Sequence, residues 1–423
     1  MADEVTIRAT PARPFLAANS PPQVGYLLVD IQPGSVVASV RMPVNVGFVL
    51  DRSGSMKGEK IDRVRRATNV ALDMLDAQDT VSVVIFDHRT EVLIPSTSVQ
   101  NRYELQEKIS RIRDAGGTKI APAVQKALQE IQKGSNDAIR RLLLLTDGQT
   151  EHESECLLRA DDAGRQSIPI TALGVGNDWN EDLLIDMANR SGGTADYIDQ
   201  PDKITDFFQN TVQRAQATAI QNATLTMRLV QGVTPRTVWQ VIPMIDQLSH
   251  DALSDRDASV TLGELVTGQG RTLLVELLIE TRPLGQYRIC QFELNYDIPA
   301  MQLYQQHARI DVTLSFADDP SFLQQVNAPV MNTVEKISAF KLQTRALQDL
   351  QTGDVSAATQ KLRSAVTRLL NQGELELAET MQQEVTNLES QGQMSSEGQK
   401  TIKFGTRKTV RLSDLDKPGD VTS

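Results

Sequence analysis

The chain has 423 residues, 40% hydrophobic and 23% charged, the profile of a folded soluble protein longer than the roughly 100–200 residues of one ordinary domain. Lys and Arg number 43 against 54 Asp and Glu, a net charge of −11; that field repels phosphate and argues against nucleic acid or anionic lipid as partner. No run approaches the roughly 18 apolar residues of a membrane helix, and the first residues lack a signal-type apolar core. A cytoplasmic protein is therefore expected. Cys156 and Cys290 lie far apart and read as two buried thiols of a reducing compartment rather than a disulfide.

Residues 1–41 open with four prolines in the first twenty-two positions and then the apolar run Tyr26–Ile31, a strand in a β-rich segment. Over residues 42–214 the pattern changes. Short apolar runs at Val46–Leu50, Val81–Phe86, Val92–Ile94, Leu142–Leu145, Ile168–Val175 and Ala195–Ile198 alternate with stretches of helical period, such as Ile61, Val64, Thr68, Ala71, Leu72 and Leu75. Alternation of this kind predicts a Rossmann-like α/β domain: a mainly parallel six-stranded sheet with helices on both faces. Only a few residues separate Phe86 from Val92, too short for a crossover, so Val92–Ile94 is expected as an antiparallel edge strand.

Strand-type runs without helical period return over residues 215–320, at Ala223–Val230, Thr237–Ile242, Thr272–Ile279, Tyr287–Leu294 and Ile310–Phe316. They predict the remainder of a β-sandwich whose first strands lie before the α/β block, which is then an insertion; a loose N-terminal arm is the plainer reading. Residues 328–390 are helical, broken at Gly353 and Gly373, and predict a bundle of three helices. Leu362, Val366, Leu369 and Leu370 form one apolar stripe, and Leu375, Met381, Val385 and Leu388 another.

The chemistry concentrates at three strand ends. Val46–Leu50 runs straight into Asp51-Arg52-Ser53-Gly54-Ser55, which sets oxygen-bearing side chains at alternate positions past the carboxyl end of a strand, where open α/β sheets bind ligands. Gly116-Gly117-Thr118 adds a hydroxyl before a helix, and Leu142–Leu145 leads to Thr146-Asp147-Gly148. Carboxylates and neutral hydroxyls are hard donors suited to Mg²⁺ or Mn²⁺. Each piece alone is a common turn; the three in this order are specific.

In these residues the chain resembles the von Willebrand factor A family, whose metal-ion-dependent adhesion site is an Asp-x-Ser-x-Ser run followed by a Thr and an Asp. The matching positions are Asp51, Ser53, Ser55, Thr118 and Asp147. The resemblance implies that these residues hold Mg²⁺, with Mn²⁺ as substitute, and leave one coordination position for an Asp or Glu carboxylate of a partner protein. It implies a non-enzymatic binding scaffold of bacterial intracellular type, with a signalling role. The alternative is a non-catalytic adaptor subunit of an AAA+ ATPase complex of MoxR or chelatase kind, although no AAA+ module or acidic, proline-rich linker is visible.

Other candidates read more plainly. His152 lies in an acidic stretch and reads as a solvated loop or helix start, Asp87-His88-Arg89 as a hairpin turn, and Gly174-x-Gly176 lacks the third glycine of a dinucleotide site. Residues 391–423 read as a mobile basic tail with Lys400, Lys403, Arg407, Lys408 and Arg411. Its Thr401, Thr406 and Thr409 are candidate sites for a Ser/Thr kinase, and the segments beginning at Thr401 and Thr409 look like ones that forkhead-associated domains read once phosphorylated. A solubilising or loosely docked tail is the plainer reading. Both expect deletion of residues 392–423 to leave the melting temperature unchanged.

Overall fold

The alternating runs of the first half become one six-stranded sheet within residues 41–218, one of two units in the computed structural model; the other unit combines residues 1–40 with 219–423. The structure describes residues 4–39, 41–135, 137–254 and 256–408.

In the 41–218 unit the strand order is Thr90–Ser98, Thr80–Phe86, Val44–Asp51, Ile139–Thr146, Ile170–Val175 and Thr194–Ile198. Every pairing is parallel except that of Thr90–Ser98, which runs antiparallel at the edge, as the short connection required. Every residue of Val44–Asp51 is buried. Helices cover both faces of a parallel sheet, which is why the central strands read as unbroken apolar runs. Glu59–Asp73 buries Ile61, Val64, Ala67, Thr68, Ala71 and Leu72, the stripe seen in the sequence. Ile204–Gln216 sets Phe208 in a stack on Phe48, ring centroids 5.6 Å apart. The chain leaves Val44–Asp51 toward one neighbour, Thr80–Phe86, and places Ile139–Thr146 on the other side. A switch point of this kind opens a crevice at the carboxyl ends of the strands.

The second unit holds two sheets. One has the order Val5–Pro11, Gln23–Pro33, Arg271–Ile279, Val233–Ile242 and Asp246–Leu248; the other runs Asp251–Ala252, Asp257–Val266, Thr218–Leu229, Gly285–Ile298, Leu303–Ala317 and Phe15–Ala17. Strands from before and after the α/β block therefore pair directly: Gln23–Pro33 lies between Val5–Pro11 and Arg271–Ile279. Leu27, Val29, Ile31, Leu273 and Val275 of the first sheet share one core with Leu225, Met227, Phe292 and Leu314 of the second. The opposite face of the first sheet is covered too. Leu28, Trp239, Val241 and Leu274 pack against Val330, Val334 and Ile337 of the helix Ala328–Gln351. Burial on both faces explains why Tyr26–Ile31 shows no polar alternation.

The segment 328–390 forms the three helices expected, Ala328–Gln351, Val355–Asn371 and Leu375–Gln391, and a fourth, Ser396–Arg407, follows within the residues read as a tail. Of the two stripes, Leu362, Val366, Leu369, Met381, Val385 and Leu388 are buried, but Leu370 and Leu375 remain 49% and 58% exposed. They flank Gly373, which turns the chain at φ +76.

The fourth helix corrects the reading of residues 391–423 as a mobile tail. Ile402 is fully buried and Phe404 nearly so. Ser395 caps the helix by accepting from the Gly398 amide, while its own amide and hydroxyl donate to Glu384, both at 2.7 Å. The Thr406 hydroxyl, 1% exposed as a residue, donates to Gln343 at 3.1 Å. Arg407 donates to the Ile245 carbonyl and pairs with Asp246 at 3.1 Å. Apolar periodicity missed this helix because its buried face is mostly Gly398, Lys400, Thr406 and Arg407. Thr406 is thus closed to a kinase, and Thr401 is half-buried in the same helix. Thr409, with the second segment proposed for phosphothreonine readers, lies outside the described residues.

Both cysteines are free and buried. Burial pushes the Cys156 thiol up to about 11 and that of Cys290 up to about 12, so neither is a ready nucleophile. Among the described residues no helix is long and apolar enough to cross a membrane.

Candidate metal centre

Asp51 is the last residue of its strand, and Thr146 closes the neighbouring strand beside it. Both chains turn away at once, so Asp51 and Asp147 emerge together at the switch point. Past Asp51 the backbone enters a short 3₁₀ turn, Gly54–Met56, which brings the Ser53 and Ser55 hydroxyls to 3.1 Å from each other. Ser55 donates to Asp147 Oδ1 at 2.6 Å. Thr118 reaches the same place from the loop preceding Ile120–Ile131. A Cβ on Gly148 would stand 3.1 Å from Thr118 Oγ1 and 3.9 Å from Ser55 Oγ, so the bare glycine leaves these hydroxyls open to a shared space.

The loops are pinned to one another. The Gly54 amide donates to the Gly116 carbonyl at 2.9 Å, and the Ala115 amide to the Arg52 carbonyl at 2.7 Å. Gly116 has φ +46, and a Cβ there would lie 2.1 Å from His88 Nδ1; the position has no room for a side chain. Beneath it, buried Asp87 pairs with Arg52 at 2.9 Å and with His88 at 2.8 Å. Burial by itself would raise the Asp87 carboxyl, but the Arg89 amide and the Arg52 guanidinium outweigh it and hold it below its ordinary range.

The electrostatics at the centre are those of buried charge. Asp51 is fully buried, and burial pushes its carboxyl up to about 6 against the opposing hydrogen bonds. Those bonds come from Thr146 Oγ1 to Oδ2 at 2.6 Å and from the Ser53 amide to Oδ1 at 2.7 Å; the charge of Asp147 adds to the rise. The Asp147 side chain is also fully buried, and its Oδ2 carries an ion pair with the Lys60 ammonium.

The structure thus brings all five sequence-predicted oxygen residues to one edge of the sheet. Sequence reasoning passed over two partners. Thr146 was visible only as the residue before Asp147; its role depends on the register that sets Leu50 opposite Leu145. Lys60 stands one position into a helix after the serine turn, and nothing in its spacing marked it. His152, by contrast, is exposed and left-handed (φ 58) at the start of Glu153–Arg165, and Asp87–Arg89 is the hairpin turn expected.

Two carboxylates and three hydroxyls are a donor set that fits a hard divalent cation. The buried negative charge around it calls for positive charge, and an ammonium already rests on one of the two acids. Among the described residues no three His, Cys, Asp or Glu side chains converge, so any cation held here depends on the hydroxyls.

The fold has counterparts among known proteins. Residues 45–210 match the von Willebrand factor type A domain, and residues 328–412 match the Sll0103-like C-terminal alpha-helical domain. The uncharacterized protein sll0103 of Synechocystis is 28% identical, over 88% of this chain and 89% of its own. The inter-alpha-trypsin inhibitor heavy chain H4 of Bos taurus is 30% identical over 47% of this chain; the match spans only 23% of that longer protein. Among solved structures, a von Willebrand factor type A protein from Catenulispora acidiphila superposes with a TM-score of 0.78 at 18% identity, covering 96% of this chain and 97% of the other. The ArnB paralog VWA2 of Sulfolobus acidocaldarius gives 0.58 at 16% identity, covering 96% and 99%. These likenesses establish the fold: a type A domain of Rossmann-like α/β form, with an all-helical C-terminal domain.

Proposed function

We propose that this chain, which carries a von Willebrand factor type A domain over residues 45–210, is a non-enzymatic scaffold that binds another protein through a divalent cation. Asp51, Ser53, Ser55, Thr118 and Asp147 would hold Mg²⁺, or Mn²⁺ in its place. The observation that carries this reading is the convergence of two fully buried carboxylates and three hydroxyls at the switch point of the sheet. Bound there, the cation supplies an electron-poor position for an Asp or Glu carboxylate of the partner.

The residues divide the work. Thr146 and the Ser53 amide fix both oxygens of Asp51. Ser55 fixes Asp147 and shares a hydrogen bond with Ser53. Neutral hydroxyls supply the remaining protein donors and add no negative charge to that of the two carboxylates.

Two outcomes test the reading. Replacing Ser53 and Ser55 together by Ala is expected to leave cooperative unfolding intact, because both lie in a loop, while abolishing any partner capture that chelator also abolishes in the wild type. Circular dichroism melts and pull-downs with and without EDTA read both; capture indifferent to EDTA would sink the proposal. Gly116→Ala is expected to weaken Mn²⁺ binding several-fold in calorimetry and to cost about 1–3 kcal/mol of stability, since a Cβ drives His88 or the Thr118 loop out of place. Unchanged binding would mean that the Gly116 loop does not set the site.

A further inference from the structure

Lys60 is placed against the interest of its own helix. It lies in the first turn of Glu59–Asp73, where the helix dipole disfavours a cation and favours acids such as the neighbouring Glu59 and Asp62. Gly58 starts the helix at φ +81, a conformation disfavoured for other residues, and so directs the first turn back toward the strand ends. From there the Lys60 ammonium pairs with Oδ2 of Asp147, the carboxylate whose other oxygen accepts from Ser55. It also passes 3.7 Å from the point where Gly176, on the next loop of the sheet edge, would carry a Cβ. The Lys60 side chain is 29% exposed and the Asp147 side chain fully buried, so the ion pair reaches from the surface into the centre.

We infer that Lys60 sets the charge of the metal centre, lowering its affinity for the cation and raising the affinity of the loaded site for a carboxylate. The inference rests on the metal-binding reading above. Asp51 and Asp147 contribute two negative charges, and Lys60 cancels one. A divalent cation added to that set leaves a net charge of about +1; without Lys60 the net is about zero. A buried carboxylate stripped of its ammonium also binds a cation more strongly, because its charge is no longer compensated. The same substitution removes the surplus positive charge that attracts a second, external carboxylate. Lys60 thus acts through Asp147 as a positioning and charge-setting residue that need not touch the bound ligand. It shifts selectivity from holding metal toward holding an acidic partner.

The test uses the full chain, Mn²⁺ as the cation and acetate as the carboxylate. Calorimetry measures Mn²⁺ affinity, and the Mn²⁺-enhanced relaxation of the acetate methyl protons measures acetate binding at saturating metal. Lys60→Gln is expected to bind Mn²⁺ roughly tenfold more tightly and acetate several-fold more weakly than wild type. Lys60→Arg, which keeps the charge, is expected to stay near wild type in both. Lys60→Met, which keeps the apolar stem, serves as the second neutral variant if Gln perturbs the fold by circular dichroism. Equal or weaker Mn²⁺ binding in the neutral variants overturns the inference and leaves the metal site standing, as does tighter metal binding with unchanged acetate affinity. Absence of Mn²⁺ binding in the wild type overturns both readings.

Discussion

Asp51→Asn is expected to reduce Mn²⁺ or Mg²⁺ affinity by at least roughly a hundredfold while leaving the metal-free melting temperature unchanged or slightly raised. The two halves have separate causes. Asn keeps the size of Asp51 and an oxygen able to accept from Thr146 or from the Ser53 amide, so the loop keeps much of its anchoring. It removes a negative charge that sits at full burial. A divalent cation loses one of its two anionic partners, and charge-assisted contacts in a buried site are the strong ones. The metal-free fold loses a charge that burial disfavours: the Asp51 carboxyl is pushed up to about 6. A raised carboxyl makes the folded state less stable as pH climbs from the ordinary Asp range through 6, and the Asn variant lacks that decline. Calorimetric titration and melts at pH 5 and pH 7.5 check both halves. A variant that binds metal as well as wild type would remove Asp51 from the site, and one that fails to fold would make Asp51 structural instead.

The second large effect concerns the C-terminus. Ending the chain at Gln391 is expected to lower the melting temperature by several degrees or more, the reverse of the result a mobile tail gives. The deletion removes Ile402 from the helical core, and with it the nearly buried Phe404. Full burial of such side chains contributes roughly 1.5–3 kcal/mol each. It also removes hydrogen bonds: Glu384 loses the Ser395 amide and hydroxyl, and Gln343 loses the Thr406 hydroxyl, each bond contributing roughly 0.5–3 kcal/mol net. Phe404→Ala in the full chain isolates the apolar part and is expected to cost about 3–5 kcal/mol. Thermal melts of both variants read the effect. A truncated protein that melts with the wild type would return the segment to the status of a tail.

What could be read from the sequence followed from the strength of each periodic signal. The α/β unit announced itself because its central strands are buried on both faces and its helices carry apolar stripes. The oxygen residues were legible because a strand end fixes where the following loop side chains go. The strand Asp257–Val266 was passed over: its buried residues Ala258, Val260 and Leu262 alternate properly, but Asp257 at its start and Gly263 (φ +75) with Glu264 near its end blunt the pattern. The helix Ser396–Arg407 was passed over because only Ile402 and Phe404 of its six buried residues are large and apolar, and Gln343 and Asp246, the partners of Thr406 and Arg407, are distant in sequence. Lys60 belongs to the same class. Its partner, Asp147, is 87 residues away, and only the pairing of two adjacent strands brings the two together.

The central claim is that a divalent cation sits among Asp51, Ser53, Ser55, Thr118 and Asp147. The most direct test is an anomalous difference map from crystals of the full chain grown with Mn²⁺. The account predicts one strong peak at the switch point, within roughly 2.0–2.3 Å of the Ser53 and Ser55 hydroxyls, and no peak there in crystals of Asp51→Asn grown the same way. A wild-type map with no density between these residues, or with manganese bound only elsewhere, would contradict it.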